Sequence, residues 1–426
     1  MGKEDGVIMR LLKVKTPLPK GFLRNLWIFL AVLGPGIITA NVDHDAGGIA
    51  TYSVAGAHFG YSIMWVVLPI AVMLTVVMEM SSRLGAVTGR GLADLIREHF
   101  GLKITFYVMV ALVLTNIGNV MANFAGVAAG MELFGISKYL SIPMSAFFVW
   151  ILVVKWTYKP VEKVFLFACL FYVTYIISGI MVKPDWSEVA INTLRPSFEF
   201  SSPYIFIVIG LVGTSITPWM QFYQQSAVVE KGITPENYTH AKWDVYTGTI
   251  VAVAVMYFII MTCAATLYKS GIRIEDAKDA ALALKPLTGE YCFKLFAFGL
   301  VNASLFAASI IPLSTAFSVC EGLGWESGVN KTFKEAPHFY SLYTAIIVVS
   351  AVVILMPKIP LLTIMIFSQV LNGILLPFIL IFMLILINKK GLMGEFTNGK
   401  SLNIMSWSAA VVMIALTAMI LFTTLF

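Results

Sequence analysis

Apolar runs long enough to cross a membrane recur along the whole chain, and nothing else in the sequence restricts its fold so tightly. A helix that traverses the hydrocarbon core needs about 20 mainly apolar residues. Eleven stretches qualify, at roughly 26–60, 62–82, 104–134, 144–156, 161–182, 203–229, 245–268, 292–320, 341–356, 360–387 and 405–426. The fourth and ninth are short and are expected to tilt or to lie partly at the interface. Of the 426 residues 59% are hydrophobic and 12% charged, against about 25% charged in a soluble domain. That balance excludes a soluble enzyme, a nucleic-acid binder and a disordered chain. The expected fold class is an all-α integral membrane protein with about 11 transmembrane helices.

Charge places the ends. Residues 1–25 are polar and basic, with Lys3, Arg10, Lys13, Lys15, Lys20 and Arg24, and carry no small-residue cleavage site. They read as a cytoplasmic segment rather than a signal peptide. With that end inside, 20 of the 29 Lys and Arg fall on the cytoplasmic side, the N-terminal segment included, and 9 outside, as the positive-inside rule requires. The expected topology is a multi-pass protein of the plasma membrane with its C-terminus outside. The net charge of +6 needs no nucleic-acid partner to explain it. Cys169, Cys263, Cys292 and Cys320 are scattered without zinc-ligand spacing and read as small buried hydrophobes.

Two spans are interrupted. In the first, Gly34-Pro35-Gly36 precedes Asn41-Val42-Asp43-His44-Asp45-Ala46-Gly47-Gly48. Carboxylates at membrane depth are expensive, and a glycine pair after them weakens the helix. An unwound segment is expected, with freed carbonyls and the carboxylates lining a polar cavity. In the sixth span, Gly213-Thr214-Ser215-Ile216-Thr217 precedes Pro218, which lacks an amide hydrogen and breaks the ladder. Gln221, Gln224 and Gln225 follow on the next turns. The first and sixth spans hold corresponding positions in two five-helix halves. Paired interruptions of this kind point to a transporter's binding site. No enzyme reading competes, since no nucleophile, base and orienting group recur at suitable spacing.

These residues resemble the NRAMP family of divalent-metal transporters, over about 34–390. Gly34-Pro35-Gly36 with Asp45-Ala46-Gly47-Gly48 is similar to its first-helix Asp-Pro-Gly-Asn motif. Arg83-Leu84-Gly85-Ala86-Val87-Thr88-Gly89-Arg90 resembles the loop after its second helix. Pro312-Leu313-Ser314-Thr315-Ala316 with Cys320-Glu321-Gly322 resembles its eighth helix, and Ser368-Gln369-Val370-Leu371 through Leu376-Pro377-Phe378 its tenth. The resemblance implies a LeuT-type fold, with two inverted five-helix repeats and one extra helix, and a metal site between the breaks. It divides the chain into the cytoplasmic segment 1–25, a transport core 26–390 and a loop with an eleventh helix, 391–426.

The departures carry the chemistry. Asp45 is retained, but Ala46 and Gly48 stand where the family has Pro and Asn, and Thr217-Pro218-Trp219 where it has Met-Pro-His. A thioether favours softer transition metals; a threonine hydroxyl leaves an oxygen site. Gly48 removes a side chain and makes room. Mg²⁺ dehydrates reluctantly and keeps several waters, so the pattern is similar to the NRAMP-related magnesium transporters. Asp45 is expected as the charged ligand, directly or through water. Thr217 and Thr214 would add oxygens from the sixth span and the carbonyl of Val42 one from the first. Gln369 would bond a metal-bound water, with Asn372 one turn along. Asp43 and Trp219 are secondary candidates. His44 is expected to be structural.

A proton path needs groups that titrate. The third span offers Asn116, Asn119 and Asn123 on one helix face, read as helix–helix hydrogen bonding. The expected function is therefore uptake of largely hydrated Mg²⁺, and also Mn²⁺, without proton coupling. The competing expectation is a proton-coupled Mn²⁺/Fe²⁺ importer. A carrier of carboxylate-bearing substrates fits less well, because Asp45 repels an anionic group at the break. The implied partners are the transported divalent ion and the lipid bilayer; no cofactor and no obligatory protein partner is expected.

Overall fold

The computed structural model describes residues 42, 44–155, 172–285, 289–328 and 331–425. Among them the secondary structure is helical, with no strand. Eight segments are long and apolar enough to cross a membrane, and Lys138–Val154 is a shorter apolar helix. Much of the first span, and the fifth up to residue 171, lie outside the described residues.

The second half of the first span is α1 (Ala46–Phe59). A short 3₁₀ segment, Gly60–Val66, turns the chain into α2 (Val67–Thr88). A short helix α3 (Leu92–Phe100) follows, then α4 (Leu102–Leu133), α5 (Lys138–Lys155), α6 (Val173–Met181) and α7 (Trp186–Leu194). The sixth span is two helices, α8 (Ser202–Ser215) and α9 (Pro218–Glu230). The rest of the bundle is α10 (Tyr238–Cys263), α11 (Cys292–Leu323), α12 (Pro337–Leu355), α13 (Leu361–Ile387) and α14 (Lys400–Leu425). The ninth span, α12, is 19 residues rather than a short one, because Pro337 starts the helix ahead of the apolar run.

Both expected breaks are present, and each has a local cause. Asp45 adopts extended backbone (φ −69°, ψ −176°) and starts α1 as its N-cap. Thr217 is extended as well (φ −67°, ψ 141°), the conformation a following proline imposes. Pro218 then opens α9, where its missing amide costs nothing.

α1 is the centre of the bundle. It packs against α4, α8, α10, α11 and α13, and every residue from Ala46 to Ala57 is buried. A helix apolar and buried all round belongs in a core. Small residues permit the close approach. A methyl added at Gly56 would stand 2.3 Å from the Ile260 carbonyl oxygen on α10. One added at Gly126 on α4 would stand 2.2 Å from the Ala46 Cβ. α4 and α11, each 32 residues long, run along each other; at 1.5 Å per residue each spans about 48 Å, more than the ~30 Å hydrocarbon core.

In the last turns of α2, Glu79 and Arg83, four residues apart on one helix face, pair at 3.2 Å, with both side chains under a tenth exposed. Tyr238 donates to the Glu79 carboxylate, and Arg83 reaches the Asn398 amide and the Phe396 carbonyl.

Candidate metal site

The site is built around Asp45, which is 5% exposed. One carboxylate oxygen accepts the Gly48 amide at 2.8 Å, so Asp45 caps α1 and Gly48 holds its carboxylate. The other oxygen accepts the Asn123 side-chain amide of α4 at 2.9 Å. Asn123 is oriented without ambiguity. Its nitrogen also donates to the Asn119 carbonyl (2.9 Å), and its oxygen accepts the Ala46 backbone N–H (3.3 Å). A carboxylate has about four acceptor positions, and two donors leave room for an ion or its water.

The asparagine face of α4 does more than join helices. Asn116 donates to Thr315 on α11 (2.8 Å). Asn119 and Asn372 exchange hydrogen bonds of 3.0 and 2.8 Å, tying α4 to α13. Asn372 also donates to the Gln369 carbonyl oxygen (2.9 Å), and Gln369 donates to Ser368 (3.2 Å). Asn123, the third member, clasps the carboxylate. Spacing alone put the three on one face, but no local signal showed that the break in the first span lies opposite the third.

Gln369 stands where both broken spans meet α13. A methyl at Gly47 would come within 1.8 Å of its amide nitrogen, and one at Gly213 within 2.0 Å of its backbone oxygen. Gly47 on α1 and Gly213 on α8 are therefore both pressed onto one residue of α13. Gln369 and Asn372 are buried, at 1% and 0% exposure.

Thr214 lies in the last turn of α8, and Thr217 stands between α8 and α9. Both are buried, and neither hydroxyl has a hydrogen-bond partner among the described residues. Thr217 caps nothing with its side chain. Buried hydroxyls left open in this way call for water or an ion. Val42 is buried. Carbonyls just beyond it are engaged: that of His44 accepts Tyr172 (2.8 Å), that of Asp45 the Ile49 amide (2.9 Å), that of Gly47 the Thr51 hydroxyl (2.7 Å). Trp219 is buried and meets Tyr223 edge-on, with ring centroids 5.9 Å apart. The His44 ring lies edge-on to Tyr52 and Tyr172, at 5.8 and 5.2 Å, a packing role. Asp43 lies outside the described residues.

Among the described residues no group of three or more His, Cys, Asp and Glu side chains could hold a metal. The donor set is one carboxylate amid amides and hydroxyls. Such a set suits a hard ion that keeps most of its waters, since the second coordination layer needs acceptors rather than charges.

Comparison with known proteins agrees with this architecture. The chain is similar to the manganese transporter of Eremococcus coleocola, crystallised with an aromatic bis-isothiourea substituted compound. The match has 19% identity and a TM-score of 0.77, over 94% of this chain and 88% of that one. It is also similar to a nucleobase-cation-symport-1 family transporter in a closed conformation with bromovinylhydantoin bound, at 14% identity and a TM-score of 0.55, over 92% of this chain and 93% of that one. The all-helical fold is thus the LeuT-type arrangement. The Nramp profile, described as natural resistance-associated macrophage protein-like, matches residues 36–423. The chain belongs to the Nramp family, as a multi-pass membrane transporter of divalent metal ions rather than an enzyme.

Proposed function

We propose that the chain carries Mg²⁺ into the cell, largely hydrated, by alternating access and without moving protons, with Mn²⁺ as a second substrate. The observation that carries this reading is the Asp45 environment, a single carboxylate held by the Gly48 and Asn123 amides with open threonine hydroxyls in the other broken span. Asp45 supplies the charge. Thr214, Thr217 and the Val42 carbonyl supply oxygens, and Gly48 leaves room for water. Gln369, set by Asn372, borders the hydrated ion; Asp43 and Trp219 are secondary. The orientation that goes with uptake has the N-terminus cytoplasmic and the C-terminus outside, in the plasma membrane.

The amides along α4 support the absence of proton coupling, because Asn116, Asn119 and Asn123 cannot release or accept a proton in transit. Uptake then runs down the electrochemical gradient, where two charges gain about 4.6 kcal/mol per 100 mV. Proteoliposomes with a trapped pH dye test the point: Mg²⁺ entry should leave the lumen pH unchanged. Acidification that tracks Mg²⁺ would favour the proton-coupled Mn²⁺/Fe²⁺ importer. Cd²⁺ should compete poorly, since the site relies on oxygen.

A further inference from the structure

We propose that α9 carries the ion's route from the site to the cytoplasm along a stripe formed by Thr217, Gln221 and Gln225. The inference rests on the transport reading above. These residues recur every four positions, so they share one helix face, and the stripe runs about 12 Å from the break. All three are buried, Gln221 and Gln225 completely. The Thr217 hydroxyl, both polar atoms of the Gln221 amide and the Gln225 carbonyl oxygen have no hydrogen-bond partner among the described residues. α9 packs against α2 and α11, and each of those helices carries a buried serine with an open hydroxyl, Ser82 and Ser314.

Four open polar atoms on one buried face of α9 are not a packing solution. A buried amide without a partner is costly, and water is what satisfies such groups in native proteins. The chemistry suits a hydrated cation. Its waters point their protons outward and need acceptors, which amide and hydroxyl oxygens provide. No carboxylate lies on the stripe, so the ion is passed along rather than trapped. At the far end the Gln225 amide donates to the Arg90 carbonyl (2.8 Å). The Glu321 carboxylate lies against Gly91, where a methyl would stand 1.8 Å from its oxygen. These two contacts hold the loop between α2 and α3 against α9 and α11 at the far end of the stripe.

The test uses the full chain in proteoliposomes, with Cys169, Cys263, Cys292 and Cys320 replaced by serine and Gln221→Cys added. A membrane-impermeant thiol reagent applied from the cytoplasmic side should modify the new cysteine, and Mg²⁺ should slow the modification. Gln221→Leu should lower Mg²⁺ flux about tenfold, the equivalent of ~1.4 kcal/mol, with equilibrium Mg²⁺ binding unchanged. Gln221→Asn, which keeps an amide, should retain most of the flux. A cysteine at 221 that reacts from neither side, or parental flux in Gln221→Leu, overturns the route. Asp45→Ala separates the two readings. If it still binds Mg²⁺ while Gln221→Cys reacts, the metal-site assignment fails and the route stands. If it loses binding while Gln221→Cys stays inert, the site stands and the route fails.

Discussion

Asn123 is the residue whose removal discriminates most sharply between a metal-site role and plain helix packing. Replacement by leucine keeps a side chain of similar size but strips three contacts. The Asp45 oxygen loses a donor at 2.9 Å, the Asn119 carbonyl another at 2.9 Å, and the Ala46 N–H its acceptor at 3.3 Å. A hydrogen bond to a charged group contributes about 1.5–3 kcal/mol. At about 1.4 kcal/mol per decade, Asn123→Leu should weaken Mg²⁺ and Mn²⁺ binding roughly 10- to 100-fold, the range seen when a partner behind a metal ligand is removed. Asn116→Leu is the control on the same face. Asn116 bonds Thr315 and Asn119 but not Asp45, so its loss should cost roughly 0.6–2 kcal/mol of stability and leave affinity unchanged. Isothermal titration of both purified variants, with thermal unfolding in detergent alongside, reads the two effects separately. Equal affinities in Asn123→Leu and the parent, with folding intact, would refute the clasp.

Other consequences follow from packing and charge. Gly213→Ala should destabilise more than Gly47→Ala, because its methyl meets backbone atoms of Gln369 and Gly373 at 2.0 and 2.4 Å, whereas that at Gly47 meets a side-chain amide. Overpacking typically costs about 1–3 kcal/mol, and thermal unfolding of the two variants gives the order. Arg83→Met should destabilise by about 3–5 kcal/mol, since it leaves the buried Glu79 without its cation. Adding Glu79→Gln to Arg83→Met should recover most of that loss; equal unfolding of single and double variants would contradict the pairing.

The breaks were legible because their causes are local. Pro218 and the Asp45-to-Gly48 run break or cap a helix whatever surrounds them. The Glu79–Arg83 pair was legible for the same reason, as one turn of a helix brings the two together. What the sequence left open depends on which helices become neighbours. Asn123 gave the same periodic signal as Asn116, yet one clasps the candidate ligand and the other joins two helices. The sequence marks Gln369 as a residue to bond a metal-bound water. That it is wedged between Gly47 and Gly213 follows from the packing of α1, α8 and α13, which no short stretch encodes. Gln221 and Gln225 follow Pro218 in the sequence with nothing local to give them a role; their burial, and the open polar atoms they keep, come from how α9 packs.

The most direct test is Mg²⁺ flux into proteoliposomes containing the parent chain or Asp45→Ala, with a Mg²⁺ indicator and a pH dye in the lumen. The parent should take up Mg²⁺, faster with an inside-negative potential, at constant lumen pH, and Asp45→Ala should fall to the level of protein-free vesicles. Unchanged uptake in Asp45→Ala would contradict the site, and lumen acidification in step with Mg²⁺ would contradict uncoupled transport.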